Sequence, residues 1–372
     1  MRDPFAIVAK AKRRLPRMMF DFIAGGTGAE TAEAANTDAL ATIRLRPRAL
    51  VNVEAVNLQT SLLGETYERP YGIAPMGMCN IVWPGTDQAL SAEARNRVFP
   101  HCVSTAASTT IEDTAHQSGG QGWFQLYAGS DDRLTFELVT RAQAAGYRHL
   151  VITVDTPRHS RRTRDLENGF RVPMRYGPRQ LLDFSLHPRW SWSTLFAGIP
   201  STRNYDTSQI AQAFERYENR GRSDWAFLER LRKAWPHHLI IKGVSDASDA
   251  RRMMEAGCDA IYVSNHGGRQ LDSAVPAIHA LEAVRSALGP DVPLIFDSGV
   301  RTADDIARAY VCGADFVMIG RPVLYAMGAG GAARLHRFLD HLDEDLRTVL
   351  AMLGALSPAD LTADMRATAP GS

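Results

Sequence analysis

His266 and Arg269 stand three residues apart in the run Ser264-Asn-His-Gly-Gly-Arg-Gln-Leu-Asp272. The imidazole can accept a proton near neutral pH, and the guanidinium is a permanent cation whose fork matches a carboxylate. A base and an anion clamp in one glycine-loosened loop suit removal of a proton from the carbon beside a bound carboxylate. A loop histidine on its own is more often a packing residue, so the assignment needs company. Lys242, in Ile240-Ile-Lys-Gly-Val244, ends another apolar run. Burying an unpaired ammonium is costly, so a lysine there points to a site that uses its charge; a snorkelling surface lysine is the plain alternative. Asp297-Ser-Gly-Val-Arg301 and Gly320-Arg321-Pro322 make a third group. Glycine lets backbone N–H groups approach an anion and arginine neutralises it, so these turns read as a phosphate cradle, which alone specifies only a phosphorylated ligand.

These groups need a frame. Short apolar runs lie at Tyr71–Ala74, His101–Ser104, Trp123–Leu126, Leu150–Val154, Leu239–Ile241, Ala260–Val263, Leu294–Phe296 and Phe316–Ile319. Helical patterns separate most of them, at Asp131–Ala145, Ala247–Ala256, Ala277–Leu288 and Thr302–Cys312. Eight strand-then-helix units predict an α/β fold, a closed (β/α)8 TIM barrel, with its chemistry at the C-terminal ends of the strands. Every polar residue named above falls at such an end. Upstream, apolar positions at helical spacing over 4–20 carry Lys10, Lys12, Arg13, Arg14 and Arg17 between them, which reads as a solvated helix face, with an anionic-lipid patch as the alternative. Aromatics then glycines at Phe20–Gly28 predict a helix end and a turn, and a second helix is expected over Glu30–Leu40. The expected organisation is an N-terminal helical cap over 1–45 and a barrel over 46–372, interrupted after strand four by a long irregular insert at about 165–222. Within the insert, Tyr176, Phe184, Trp190, Trp192 and Phe196 alternate with Arg175, Arg179, His187 and Arg189. Two readings stand: a lid or subunit contact, and a segment over about 175–205 that dips into a bilayer interface. The tail after Ala363 is expected to be loosely ordered.

Composition narrows the classes. The 372 residues are 45% hydrophobic and 22% charged with net charge +1, which suits a folded chain with a large core and gives no footprint for nucleic acid. Four scattered cysteines form neither a disulfide framework nor a zinc site. No secretory signal and no run long enough to span a bilayer is visible, so a cytoplasmic protein is expected, with peripheral contact at the inner face of a membrane as the variant of that reading.

The run 264–272 resembles the signature of the FMN-dependent α-hydroxy acid dehydrogenase and oxidase family. The resemblance extends from about residue 4 to 356 and is nearest to the mandelate dehydrogenase branch, through Trp83-Pro-Gly, Ser104-Thr-Ala, Trp123-Phe-Gln-Leu-Tyr, Leu186-His-Pro-Arg-Trp and Trp235-Pro-His. It implies FMN as cofactor. Ala74, Pro75 and Met76 would run along the flavin face, with Ser104, Gln125, Thr153 and Ser264 near the ring. Lys242 would sit against its N1/C2 carbonyl edge, and Asp297, Gly299, Arg301, Gly320 and Arg321 would hold the ribityl phosphate. It implies His266 as base, Asp155 as its carboxylate partner, Tyr127 against the substrate hydroxyl or carboxylate, and Arg162 with Arg269 as a two-sided clamp. It also implies a homo-oligomer, a tetramer in much of the family, and an acceptor that is a quinone, a redox protein or oxygen.

Two departures bear on substrate. The family's usual cap tyrosine is Phe22 here, which removes one hydroxyl from the carboxylate clamp. Gly77 and Ala106 stand where relatives for short substrates carry larger side chains. The expected activity is therefore oxidation of a mandelate-like or otherwise bulky L-2-hydroxy acid to the 2-oxo acid. The alternatives are an oxidase that makes hydrogen peroxide, a dehydrogenase of a hydroxylactone, a flavin-free phosphate-binding aldolase or isomerase with Lys242 as a Schiff-base lysine, and a non-catalytic binding module.

Overall fold

The computed structural model describes residues 4–129, 131–172, 174–206, 221 and 223–367. Eight parallel strands close into a barrel: β1 (Tyr71–Ile73), β2 (His101–Ser104), β3 (Gly122–Leu126), β4 (His149–Thr153), β5 (His238–Val244), β6 (Ala260–Val263), β7 (Leu294–Phe296) and β8 (Phe316–Ile319). Strand β8 pairs with β1 through Val317 opposite Tyr71 and Ile319 opposite Ile73, which seals the ring. The strands read as near-continuous apolar runs because helices cover their outer face and side chains fill their inner one. Inside, Trp123, Ile240, Tyr262, Phe316 and Met318 pack a small separate core. An antiparallel hairpin, Thr60–Leu62 with Glu65–Tyr67, plugs the bottom, where the Tyr67 ring meets Trp123 at 6.4 Å and Phe316 at 5.5 Å. With the interior filled, only the upper mouth can take a ligand. Pairing of Thr153 with Lys242 and of Ser104 with Gln125 puts these side by side at that mouth.

The N-terminal stretch is two helices, Pro4–Arg14 and Arg17–Ala24, where periodicity predicts one over 4–20. Pro16 has no N–H to continue the first helix and its fixed φ starts the second. The next helix, Thr31–Thr42, packs against the barrel helices Ala277–Leu288 and Ala303–Val311. Between them, residues 25–32 bind the loops after two barrel strands. Gly28 N–H donates to the Arg161 carbonyl and Thr27 N–H to the Gly268 carbonyl, both at 3.0 Å. The Asp272 carboxylate accepts from Ala29 and Ala32, capping the helix from the far end of the His266 loop.

The insert differs from its irregular reading. Its described residues hold four short helices, Thr163–Glu167, Pro178–Ser185, Pro188–Ala197 and Arg203–Asp206, while 173, 207–220 and 222 lie outside the described residues. Proline opens two of them, a position where its missing N–H does no harm. Each is too short for periodicity to show. Trp190, read as an interfacial aromatic, is instead buried, its indole N–H shared by the carbonyls of Ile81 and Val82 at 3.1 Å. The stretch after Ala363 is also more ordered than expected. Ala363–Met365 is a 3-10 turn, and Arg46 and Ala367 exchange backbone hydrogen bonds with Met365 and Arg44; 368–372 lie outside the described residues.

Gly268 tests how tightly cap and loop are joined. Its φ is +73°, and an added β-carbon would lie 2.7 Å from Glu33 Cα. Gly268→Ala should destabilise the fold by more than the roughly 1–3 kcal/mol of a left-handed non-glycine residue, because the cap must also move. A thermal midpoint equal to that of the native chain would show that cap and loop are not in register as described.

Candidate active site

The upper mouth opens into a cavity of about 1310 Å3, measured out to its opening. Seventeen residues picked out from sequence line it: Phe22, Ala74, Pro75, Met76, Gly77, Ser104, Ala106, Tyr127, Arg162, Lys242, His266, Arg269, Asp297, Gly299, Arg301, Gly320 and Arg321. Asp155, Gln125, Thr153 and Ser264 are not on its lining. Asp155 and Ser264 act one step back, on His266 and Lys242, as described next.

His266 is held in the left-handed region at φ +59°, followed by Gly267 and Gly268, also left-handed. Hydrogen bonds pin this unusual backbone: His266 N–H donates to Ser264 Oγ, and Asn265 and Gly267 N–H both donate to Ser298 Oγ. His266 Nδ1 faces Asp155 Oδ1 at 3.1 Å, which fixes the tautomer with the proton on Nδ1 and the lone pair on Nε2. Nε2 looks to the Tyr127 hydroxyl at 3.5 Å. Burial pulls the His266 pKa below its ordinary value; Asp155 opposes this, and Lys242 and Arg162 add to it. The imidazole is therefore neutral and basic at physiological pH.

Lys242 is fully buried, its Nζ 2.6 Å from Ser264 Oγ and 3.0 Å from Asp297 Oδ2. Burial works against its charge, but Asp297 and Asp155 outweigh this and raise its pKa. Asp297 in turn accepts from Tyr262, Ser264 and Ser298. This is a permanent ammonium, locked in place. A Schiff-base lysine needs the opposite, a lowered pKa and a free pair.

Three guanidiniums gather at the far side. Arg321 donates to the carbonyls of Ile23 and Gly25, and Arg269 to those of Phe22 and Gly25. Arg301 pairs with Glu33 at 2.8 Å. Burial, then Arg301, then Arg269, pull the Arg321 pKa down to about 9. One glutamate against three arginines is a donor set that a phosphate dianion complements. Beside Ser104 and Lys242, the strand neighbours that do line the cavity, both amide atoms of Gln125 and the Thr153 hydroxyl are buried without a hydrogen-bond partner. Buried polar atoms of this kind are satisfied by something, and a heteroaromatic ring edge carrying alternating donors and acceptors meets both. A ring end and a phosphate end in one cavity fit FMN. Gln125, Thr153, Ser104 and Lys242 would face the ring, and Arg301 and Arg321, with the backbone at Gly299 and Gly320, the phosphate.

The comparisons with known proteins agree. Residues 11–368 match the family model described as FMN-dependent dehydrogenase. The chain belongs to that family. Among curated relatives, the (S)-mandelate dehydrogenase of Pseudomonas putida is 36% identical over 358 residues, covering 95% of this chain and 90% of that protein. An L-lactate dehydrogenase of Pectobacterium atrosepticum is 36% identical over 369 residues, covering 96% and 94%. Among solved structures, one described as the monotopic membrane protein (S)-mandelate dehydrogenase superposes with a TM-score of 0.94 at 34% identity, covering 99% of this chain and all of that one. Family membership makes FMN the cofactor and a 2-hydroxy acid the class of substrate.

Sequence reasoning missed part of the lining. Phe170 stacks on Phe22 at 5.0 Å between ring centres, and Val172 lies beside it on the cavity wall. Arg158, His159 and Gln270 reach the same space. Phe170 and Val172 sit in the irregular stretch after Arg162, where no periodicity marks which side chains turn inward. Asn36, which exchanges hydrogen bonds with Asn265 at 2.8 Å and so ties cap to catalytic loop, gave no signal at all.

The Asp155–His266 pair makes a pH prediction. Activity should fall as the pH drops through the His266 pKa, because the protonated ring is no base, and the midpoint in kcat/KM should lie below the ordinary histidine value. Asp155→Asn removes the group that raises this pKa, so the acid limb should move lower still. The same change should lower kcat about ten- to a hundredfold, the scale of a lost hydrogen bond to a charged group. An acid limb that stays put or moves up in Asp155→Asn would contradict the pairing.

Proposed function

We propose that the chain oxidises a bulky L-2-hydroxy acid, mandelate-like in shape, to the 2-oxo acid, and passes the electrons to a quinone or another acceptor. The observation that carries this reading is the His266–Asp155 pair, turned with Nε2 toward a cavity that Arg162 and Arg269 also line. The carboxylate of the substrate is the natural partner of those guanidiniums. With it held, His266 Nε2 takes the proton from the substrate carbon, and Asp155 stabilises the imidazolium that results. The Tyr127 hydroxyl, 3.5 Å from Nε2, orients the substrate hydroxyl beside the base. Bound FMN would supply the two-electron acceptor that this oxidation needs. Lys242 places a fixed positive charge where that transfer gathers negative charge.

The substituent is read from the wall. Phe22, Phe170, Val172 and Met76 are apolar, and Gly77 faces Ala106, so no large side chain fills the space there. Phe22 carries no hydroxyl for a small carboxylate, and its ring is stacked on Phe170 and lies under the Arg269 guanidinium at 5.5 Å. These features favour an aromatic or long aliphatic group over glycolate. A second part of the proposal concerns location. Among the described residues no helix is long and apolar enough to cross a membrane. Yet Leu181, Leu182, Leu186, Trp192, Leu195, Phe196 and Ile199, on or beside the helices Pro178–Ser185 and Pro188–Ala197, are all more than half exposed. Such a strip seats in a bilayer interface, and the solved relative of the same fold is described as monotopic.

His266→Ala should retain the yellow cofactor but leave it unreduced when substrate is added without oxygen. Steady-state rates should rank mandelate and phenyllactate above lactate and glycolate, and a dye or quinone should be reduced in preference to peroxide formation. Normal bleaching in His266→Ala would remove the base assignment, and a clear preference for glycolate would reject the substrate assignment.

A further inference from the structure

Asp87 is a buried carboxylate that the proposed chemistry does not use. It stands in the first turn of the helix Thr86–Arg97, and only 3% of its surface is exposed. The groups that hold it are uncharged. The Ser108 N–H donates to its Oδ2 at 2.7 Å, and the Cys79 thiol and the Thr109 hydroxyl also donate to it. Burial pushes its pKa up to about 6, and these three donors pull against that rise, Ser108 most. A carboxylate taken out of water without a cation is costly, so these donors replace the solvent it has lost.

The donors come from two different loops. Cys79 belongs to the loop after β1, and Ser108 and Thr109 to the loop after β2. These loops form one wall of the cavity, Met76, Gly77 and Met78 lining it from the first and Ala106 from the second. They meet along a tight seam. The Met78 N–H donates to the Ala106 carbonyl at 2.8 Å, and a β-carbon on Gly77 would lie 3.1 Å from that of Ala106. Asp87 is not on the cavity lining; it fastens the same two loops from behind. Its own N–H donates to Asn80 Oδ1 at 2.9 Å, which ties the first loop to the helix, and its carboxylate takes the Ser108 N–H, which ties the second. The Cys79 thiol lies between the Asp87 carboxylate and the Met76 carbonyl, 3.3 Å from the latter and so one residue from Gly77.

We infer that Asp87 is a positioning residue for substrate size: by bridging the two loops it holds Gly77 against Ala106 and sets the room left for the substituent of the 2-hydroxy acid. The inference rests on the substrate reading proposed above, in which this wall receives that substituent, and adds the group that holds the wall in place. Without the carboxylate, the buried Ser108 N–H loses its acceptor, and the loop must shift to find another. A close-packed seam registers a shift of even a methylene's size. A bulky substituent has many contacts with the wall to lose, and a methyl group has few.

The test is the ratio of kcat/KM for mandelate to that for lactate, measured on the full-length, FMN-loaded protein. Unfolded material in a preparation lowers both rates equally, so the ratio reads the shape of the folded site and not its stability. Protonation of His266 cancels in the same way. Asp87→Leu keeps the outline of the side chain but accepts no hydrogen bond, and should lower the ratio about tenfold, the low end of what a methylene is worth in an apolar pocket. Asp87→Asn keeps an acceptor oxygen and should hold the ratio near its native value. Should Asp87→Leu fail to fold, Cys79→Ala with Thr109→Val removes two donors, keeps the carboxylate, and should lower the ratio by a smaller factor. A ratio that stays or rises in the Asp87→Leu protein, or in the double variant used in its place, overturns the inference and leaves the substrate reading standing. A fall in Asp87→Asn as large as in Asp87→Leu overturns it too, because the acceptor would then not be what matters. A native enzyme that prefers lactate to mandelate overturns the substrate reading and this inference with it.

Discussion

Like charges crowd one side of a buried cavity, and much of the structure can be understood as what holds them there. Arg321 is buried with Arg301 and Arg269 as neighbours and Glu33 as the nearest acid. Left to themselves such groups would repel and hydrate. They stay because the cap lends them its backbone: the carbonyls of Phe22, Ile23 and Gly25 accept from Arg269 and Arg321. Glycines 25, 26 and 28 let the chain end a helix and turn its carbonyls inward. The same few residues bind the loops that carry Arg162 and His266. The positions of these arginines and of the two loops thus depend on one contact between cap and barrel.

The second constraint is charge separation within the cavity. Lys242 is kept protonated by Asp297, and His266 is kept neutral by burial and by nearby cations. The two groups face the same space in opposite protonation states, which is what electron-pair transfer with proton removal requires. Asp155 acts on both, raising each pKa, but only His266 lies within hydrogen-bond distance of it. The Asp297–Lys242 pair is embedded in hydroxyls from Tyr262, Ser264 and Ser298, so its charges are neither exposed nor unsatisfied. That arrangement is incompatible with a Schiff-base role and consistent with a fixed electrostatic one.

The barrel was legible in the sequence because each strand is a short apolar run closed on both faces, and the helices Ala277–Leu288 and Ala247–Glu255 carry clear periodicity. The site was legible where its residues follow strands directly: His266, Lys242, Asp297 and Arg321 all do. It was not legible where a residue reaches the cavity from irregular chain. Phe170 arrives in this way, from the start of the insert; Asn36, in the middle of a helix, acts behind the cavity through Asn265. Pro16 splits a helix that its periodicity joins, although the proline itself was in plain view. Trp190 shows the limit of composition: among exposed neighbours of the same type it is the one that turns inward, because the carbonyls of Ile81 and Val82 wait for its N–H.

The central claim is that the arginines at the last two barrel turns hold the cofactor by its phosphate, and this is most directly tested by comparing two ligands that differ only there. Titration of the cofactor-free protein, followed by quenching of flavin fluorescence, should show FMN binding at least a hundredfold more tightly than riboflavin, about two charge-assisted hydrogen bonds' worth. Equal affinity for the two would contradict the account, because the crowded guanidiniums would then have no part in holding the cofactor.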